Sequence, residues 1–355
     1  MKILLVKLSS LGDVVHTLPV VQDILAALPD AQIDWVVEPA FAPVLSLCPG
    51  VNRVVACELR RWRKALLSSS TRHAYLAFRA QLRLTAYDAV IDLQGLTKSA
   101  LVAWLARRAP GGKRYALAMQ TEGSGYEAPT RWVADVAIRM KPHIHAVQRS
   151  RELAAQALGY SLAKAPDYGL KVPLRQQAPA PIAIENIANG IPSTEIPAPC
   201  VVFVHGTSRA DKAWPLAHWV ALGQRFNAAG YGVVLAHGNA PELATSQVIA
   251  RALKAASPSS GPAALVLPTL PLDALAQVLG ACAGVIGVDS GVSHLAVALG
   301  LPHVQIYNFD TAWRTGPERA GSSGARQVSV FAQPAPGVEA VWQAWLGCIA
   351  AGAGQ

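Results

Sequence analysis

Short, continuously apolar runs alternate along this chain with stretches of helical spacing. In the first half the runs fall at residues 2–7, 33–37, 54–56, 89–92 and 114–118, and helical segments such as 14–28, 72–84 and 98–107 lie between them. Strands that are apolar throughout are buried on both faces, which implies a parallel sheet covered by helices. The pattern predicts an α/β fold of doubly wound type. Between 161 and 199 it stops, because Pro166, Pro173, Pro179, Pro181, Pro192, Pro197 and Pro199 break any period. It then resumes, with strands expected at 200–204, 232–236, 264–267, 285–288 and 304–307. Helices are expected at 215–229, 241–256, 272–281, 291–299 and 338–350. The expectation is therefore a domain over 1–160, a proline-rich linker over 161–199 and a second domain over 200–335. A terminal helical segment, 336–355, is placed to pack back on the first domain.

At 355 residues the chain suits two domains of ordinary size. Its 52% hydrophobic content raises the question of a membrane span. The longest apolar runs stop far short of the roughly 20 residues that cross a bilayer. Ile3 to Val6, between Lys2 and Lys7, is too short for the apolar core of a signal peptide. Five widely spaced cysteines without a C-x-x-C pair suggest neither a disulfide framework nor a zinc site. These features favour a cytoplasmic protein without a metal.

Charge changes the picture more. Residues 53–114 carry 13 Lys and Arg against three acidic residues, whereas the rest of the chain carries 18 against 19. A basic excess confined to one stretch implies an anionic partner for the first domain, or else a solvated charged face. No helix-turn-helix, RNP or zinc-finger pattern accompanies it, which argues against nucleic acid.

In parallel sheets ligands gather at the carboxyl ends of the strands. The first such loop contains Ser10, Gly12 and Asp13, and Asp13 reads either as a helix cap or as a catalytic carboxylate. The loop after 200–204 offers Thr207, Ser208 and Lys212, which suit a diphosphate or form an ordinary polar loop. Pro215 is expected at the first helical position. Asp289, Ser290, Gly291 and His294 form a second loop entering a helix, where amides can receive an anion, although His294 also reads as a core histidine. Glu242 is either a ribose contact or an acid favoured by a helix start.

Five motifs carry a resemblance. They are Lys7 to Pro19 (KLSSLGDVVHTLP), Arg60 to Ala65 (RRWRKA), Asp92 to Ala100 (DLQGLTKSA), Asp211 to Pro215 (DKAWP) and Val288 to Leu295 (VDSGVSHL). The chain resembles the bacterial lipopolysaccharide heptosyltransferases, glycosyltransferases of GT-B fold, and the branch adding the first heptose more than the one adding the second. The resemblance implies two Rossmann-like domains facing a central cleft. Asp13 would be the base that deprotonates a Kdo hydroxyl of Kdo2-lipid A for inverting attack on ADP-heptose, with Lys212 assisting departure of ADP. Thr207, Ser208, Lys212, Glu242, Leu270, Asp289, Ser290, Gly291 and His294 would hold the donor. On the acceptor side it implies Ser10, Gly12, Arg60, Arg61, Arg63, Lys64, Gln94, Lys98 and Gln120. No metal or other cofactor is implied, and the basic stretch would also meet the anionic inner-membrane surface. Another sugar-nucleotide transferase of the same fold, or a non-catalytic sugar-nucleotide-binding protein at the membrane surface, are the competing readings. The chain departs from the family at Asn308-Phe309, where a Gly-Pro turn is usual, and in the length of its linker.

Overall fold

The computed structural model describes residues 1–65, 67–162, 165–173, 182–183, 195–256, 264–317 and 326–353. The chain divides into two compact units, Met1–Lys171 and Val172–Gln355. In the first, β1 (Lys2–Val6) leads through α1 (Leu11–Val15) and α2 (Pro19–Ala27) to β2 (Gln32–Val37). Next come α3 (Ala42–Ser46), β3 (Val51–Ala56), α4 (Leu59–Lys64), α5 (Ser69–Arg83) and β4 (Tyr87–Asp92). The unit continues with α6 (Thr97–Leu105), β5 (Arg108–Leu117), α7 (Pro129–Val133), β6 (Val136–Ile138) and α8 (Ala146–Leu158). The six strands form one sheet in the order β3-β2-β1-β4-β5-β6, with every pair parallel.

The second unit holds a short antiparallel pair, β7 (Ile182–Ala183) and β8 (Glu195–Ile196). Its main chain path is β9 (Cys200–Val204), α9 (Leu216–Ala228), β10 (Gly232–Leu235), α10 (Ala240–Ala256), β11 (Ala264–Val266) and α11 (Leu272–Ala281). It ends with β12 (Gly284–Val288), α12 (Gly291–Ala298), β13 (His303–Tyr307), α13 (Ala312–Thr315), β14 (Gln327–Phe331) and α14 (Val338–Ala353). The sheet repeats the first in kind: β11-β10-β9-β12-β13-β14, all parallel. The expected α/β class with two doubly wound sheets is what the structure shows. Of the proline-rich stretch, Pro179, Pro181 and Pro192 lie outside the described residues.

Differences from expectation have local causes. The helix expected over 14–28 is two helices, because Pro19 has no N–H to continue the first and instead opens the second. The intervening residues make tight turns, Thr17 N–H donating to the Val14 carbonyl and Leu18 N–H to that of Val15. Pro215 caps α9 rather than occupying its first position. Helix α8 has no unbroken apolar stripe in the sequence, because Arg149 and Arg151 sit on its buried side. Arg151 is tolerated there by a two-pronged pair with Asp23, at 2.7 and 2.9 Å.

Helices α4 to α7 pack in sequence against one another and cover one side of the first sheet, while α2 and α8 pack together on the other. Burying Trp62 against Tyr75 and Phe78 fixes α4 and turns its four cations outward. In the second unit Phe203, Trp214, Trp219, Phe226 and Trp345 form a core of edge-to-face rings. Trp345 brings α14 onto α9, β13 and β14. In each sheet the strand order reverses once, between β1 and β4 and between β9 and β12. The loops leaving those four strands are therefore where ligands are best received.

Candidate active site

At the first switch point Ser10 begins α1 and Asp13 lies one turn in. Asp13 Oδ2 accepts from the Ser10 N–H at 3.0 Å and its hydroxyl at 3.1 Å, so Asp13 closes back on the cap rather than being the cap. Its Oδ1 stands 3.7 Å from Lys7 Nζ. Lys7 is buried, donates to the Leu93 carbonyl at 2.8 Å, and so joins the loops after β1 and β4. Burial pushes the Asp13 carboxyl up, but Lys7 and the Ser10 bonds outweigh it and leave Asp13 below the usual carboxylate range. Lys7 in turn is lowered by burial, with Asp13 opposing. Asp13 is therefore ionised at neutral pH, partly exposed and held in one orientation.

The β4 loop is stitched to this one. Gln94 Oε1 receives the N–H groups of Leu8 and Ser9 at 2.8 and 3.1 Å, and its amide donates to the Ser9 carbonyl. Beneath it Asp92 is buried and accepts from Gln94 N–H, Gly95 N–H and the Ser99 hydroxyl. Desolvation raises its carboxyl to about 6 despite those donors. Asp92 thus shapes the loop, while Gly12 is buried in the turn beside Asp13.

Two expected cations converge on the Ser9 hydroxyl: Lys98 Nζ at 2.5 Å and Arg60 at 3.2 Å. Glu38, at the end of β2, holds both, at 3.5 Å from Lys98 and 3.1 Å from Arg60. Arg61 pairs with Glu58, and Arg63 and Lys64 are exposed. Gln120 is exposed in the loop after β5, bonded to the Ser124 carbonyl. A groove of about 870 Å³ opens beside this cluster, lined by Leu59, Trp62, Tyr75, Leu96 and Leu101 together with Arg60, Arg63, Arg72 and Lys98. The basic stretch does not act as one patch. Arg53 is tied into a network with Asp34 and Tyr87, Arg108 is paired with Asp135, and Arg114 bonds the Ala103 and Trp104 carbonyls.

In the second unit Lys212, on the loop after β9, reaches Asp289 Oδ2 at 2.5 Å, and His294 Nε2 lies 3.3 Å from Oδ1. Burial opposes the Asp289 charge, yet His294 and Lys212 together pull its carboxyl far below the ordinary range. Ser290 caps α12 and Gly291 opens it, leaving the first amides of the helix at the same place. The Thr207 hydroxyl is buried without a hydrogen-bond partner, while Ser208 is exposed. Glu242 binds Gly238 N–H at 2.7 Å and the Asn239 amide at 2.8 Å. Its carboxylate lies so close to Gly206 that a Cβ there would come within 2.4 Å of it, so a larger residue would push the Glu242 carboxylate aside. Leu270 is half-buried in the loop after β11.

Sequence reading missed three contributors. Lys7 reads as a strand end and Glu38 as a lone acid, and neither has a local signature of its role. Asn308, noted only as a departure, donates its amide to the carbonyls of Asp211 and Ala213, the two residues flanking Lys212. Among the described residues no group of three His, Cys, Asp or Glu is placed to hold a metal ion, and no helix is long and apolar enough to cross a membrane. His143 and His145, two residues apart, serve separate ends: His143 contacts Glu122 and His145 caps α8.

The chain as a whole is similar to known proteins. The family model for glycosyltransferase family 9 (heptosyltransferase) matches residues 75–339. The chain is 37% identical over 329 residues to lipopolysaccharide heptosyltransferase 1 of Pseudomonas aeruginosa, covering 92% of this chain and 83% of that protein. It is 35% identical to the Escherichia coli K12 protein of the same name, over 92% of both. The structure of E. coli heptosyltransferase WaaC with ADP matches with a TM-score of 0.78 and 31% identity, over 97% of this chain and 98% of that one. The same enzyme with ADP-2-deoxy-2-fluoro heptose matches at 0.74 and 32%, with the same coverage. The chain belongs to glycosyltransferase family 9, the heptosyltransferases.

Proposed function

We propose that this enzyme transfers L-glycero-D-manno-heptose from ADP-heptose, with inversion, to a Kdo residue of Kdo2-lipid A in lipopolysaccharide core biosynthesis. The observation carrying the reading is the second unit's anion-ready pair of loops, in a chain whose full length resembles a heptosyltransferase solved with ADP. In the reaction the acceptor O–H gives its proton to the Asp13 carboxylate, and its oxygen attacks the anomeric carbon. The bond from that carbon to the diphosphate breaks and ADP departs with the electron pair. Lys212 and the first amides of α12 offset the charge on the leaving phosphate. With its carboxyl held low, Asp13 is a weak base, so its contribution comes from position and desolvation.

Lys98 and Arg60, held by Glu38, are suited to the carboxylate of the acceptor sugar, and the adjoining groove leaves room for what lies beyond it. Ser10, Gly12, Gln94 and Gln120 complete the acceptor side, with Arg61, Arg63 and Lys64 at its approach. Thr207, Ser208, Glu242, Leu270, Ser290 and His294 line the donor side. The enzyme works at the cytoplasmic face of the inner membrane, requires no metal ion, and is served by the two domains and linker inferred from sequence. Asp13→Asn tests the base: transfer should fall by roughly 100-fold or more while ADP binding, read by calorimetry, persists. Full turnover in that variant would remove the assignment. Transfer only from another nucleotide sugar would remove the donor.

A further inference from the structure

Helices α4 to α7 carry nine Lys and Arg and no Asp or Glu. The opposite layer, α2 and α8, mixes signs: Asp23 and Glu152 lie among Arg149 and Arg151. The cationic layer also leaves large apolar side chains in water. Trp132 on α7 is 76% exposed, Trp104 at the end of α6 is 59% exposed, and Leu67, just before α5, is 89% exposed. Leu76 and Leu101, on α5 and α6, are exposed as well. Arg79, Arg107 and Arg131 stand exposed on the same elements or immediately beside them.

Indole rings among arginines suit a boundary with an apolar interior and a negatively charged skin. A protein partner could bury the same rings, but interfaces between proteins are depleted of charge at their centres and pair opposite signs around them. Within the helices the layer is positive throughout, and the acids at its margins, Glu58, Glu127 and Asp135, are taken up by Arg61, the Thr97 N–H and Arg108, which fits a partner of negative sign. We propose that the α5–α7 layer is the face that lies on an anionic lipid bilayer. Trp104 and Trp132 enter the headgroup region, and Arg79, Arg107 and Arg131 meet lipid phosphates. Trp104, Trp132, Arg79, Arg107 and Arg131 do not line the acceptor groove, which the same helices border through Arg72, Tyr75, Lys98 and Leu101. The inference deepens the membrane-surface part of the proposed function and rests on it.

The full chain is tested by co-sedimentation with vesicles of phosphatidylethanolamine and phosphatidylglycerol, and with vesicles of phosphatidylcholine alone. The chain should pellet with the anionic vesicles, leave them as salt rises, and ignore the neutral ones. Trp104→Ser with Trp132→Ser, and separately Arg79→Glu with Arg131→Glu, should each weaken binding by roughly tenfold. Both variants should keep wild-type transfer to a water-soluble acceptor lacking acyl chains, which also shows that they fold. Unchanged vesicle binding in both, or equal binding of wild type to neutral vesicles, would overturn the assignment. Failure of wild type to act on the soluble acceptor would instead strike the transferase reading and leave the vesicle result standing.

Discussion

In the first unit the lysine at the switch point, Lys7, is buried and committed to the Leu93 carbonyl and the neighbourhood of Asp13. In the second, Lys212 is part-exposed and bonded to Asp289, a carboxylate that His294 also supports. The strand order around them is the same. One lysine is enclosed beside a carboxylate; the other is part-exposed and held by one, as the proposed donor role requires. The same contrast holds for the carboxylates. Asp13 is partly exposed, whereas Asp289 is buried and holds a cation in place. A repeated scaffold thus presents different charges at its two switch points, because the loops, not the sheet, carry them.

The contrast can be pressed first at the lysines. Lys212→Ala should lower kcat/KM for the nucleotide sugar by roughly 100-fold, with a stability loss smaller than that of Lys7→Met because His294 still supports Asp289. Lys7→Met should instead cost about 3 kcal/mol of stability, read by denaturant unfolding, and raise the acid limb of the pH-rate profile as Asp13 returns toward ordinary acidity. If the two variants behave alike, the distinction between tuning and ligand-facing lysines fails.

A second comparison is between buried titratable groups. Asp92 in the first unit has a carboxyl raised to about 6, so its contribution to stability is full below the unfolded carboxylate value and is lost as pH rises through 6. His303 in the second unit is lowered by burial to about 4, so its contribution is full above the unfolded imidazole value and is lost as pH falls toward 4. The stability of Asp92→Asn relative to wild type should therefore grow as pH is raised from 4 to 7, by about 1–3 kcal/mol. That of His303→Asn relative to wild type should grow in the opposite direction, from pH 7 down to 4. Parallel pH dependences would contradict these assignments.

Smaller effects test the side chains that no motif announces. Glu38→Gln should raise the acceptor KM by roughly tenfold, leaving the donor KM unmoved, since it releases both Arg60 and Lys98. Asn308→Ala should act on the other substrate, raising the donor KM by roughly fivefold through the loss of two hydrogen bonds around Lys212. Steady-state kinetics with each substrate varied in turn separate the two. An equal effect of either variant on both substrates would erase the division between the units.

Much of this was readable from the chain. Strands such as Cys200–Val204 are apolar at every position and their burial is complete, so pattern and structure agree. The loops holding Asp13, Lys212 and Asp289 follow directly from those strands and were found with them. Reading failed where a charged side chain is buried: Arg149 and Arg151 disguised α8, because a paired charge in the interior looks like a surface residue in sequence. It also overextended the basic stretch, since Arg53 satisfies Asp34 and Tyr87 inside the unit.

The sequence by itself determined the two doubly wound sheets and the loops that carry chemistry, because apolar periodicity, proline and glycine act over a few residues. Which charges would meet was decided only in three dimensions. Lys7 with Leu93, Glu38 with Arg60 and Lys98, Lys212 with Asp289, and the Asn308 amide with the Asp211 and Ala213 carbonyls join residues dozens of positions apart. They meet because parallel strands deliver their carboxyl ends to one edge of a sheet, and the order of strands along that edge is not written in any local pattern.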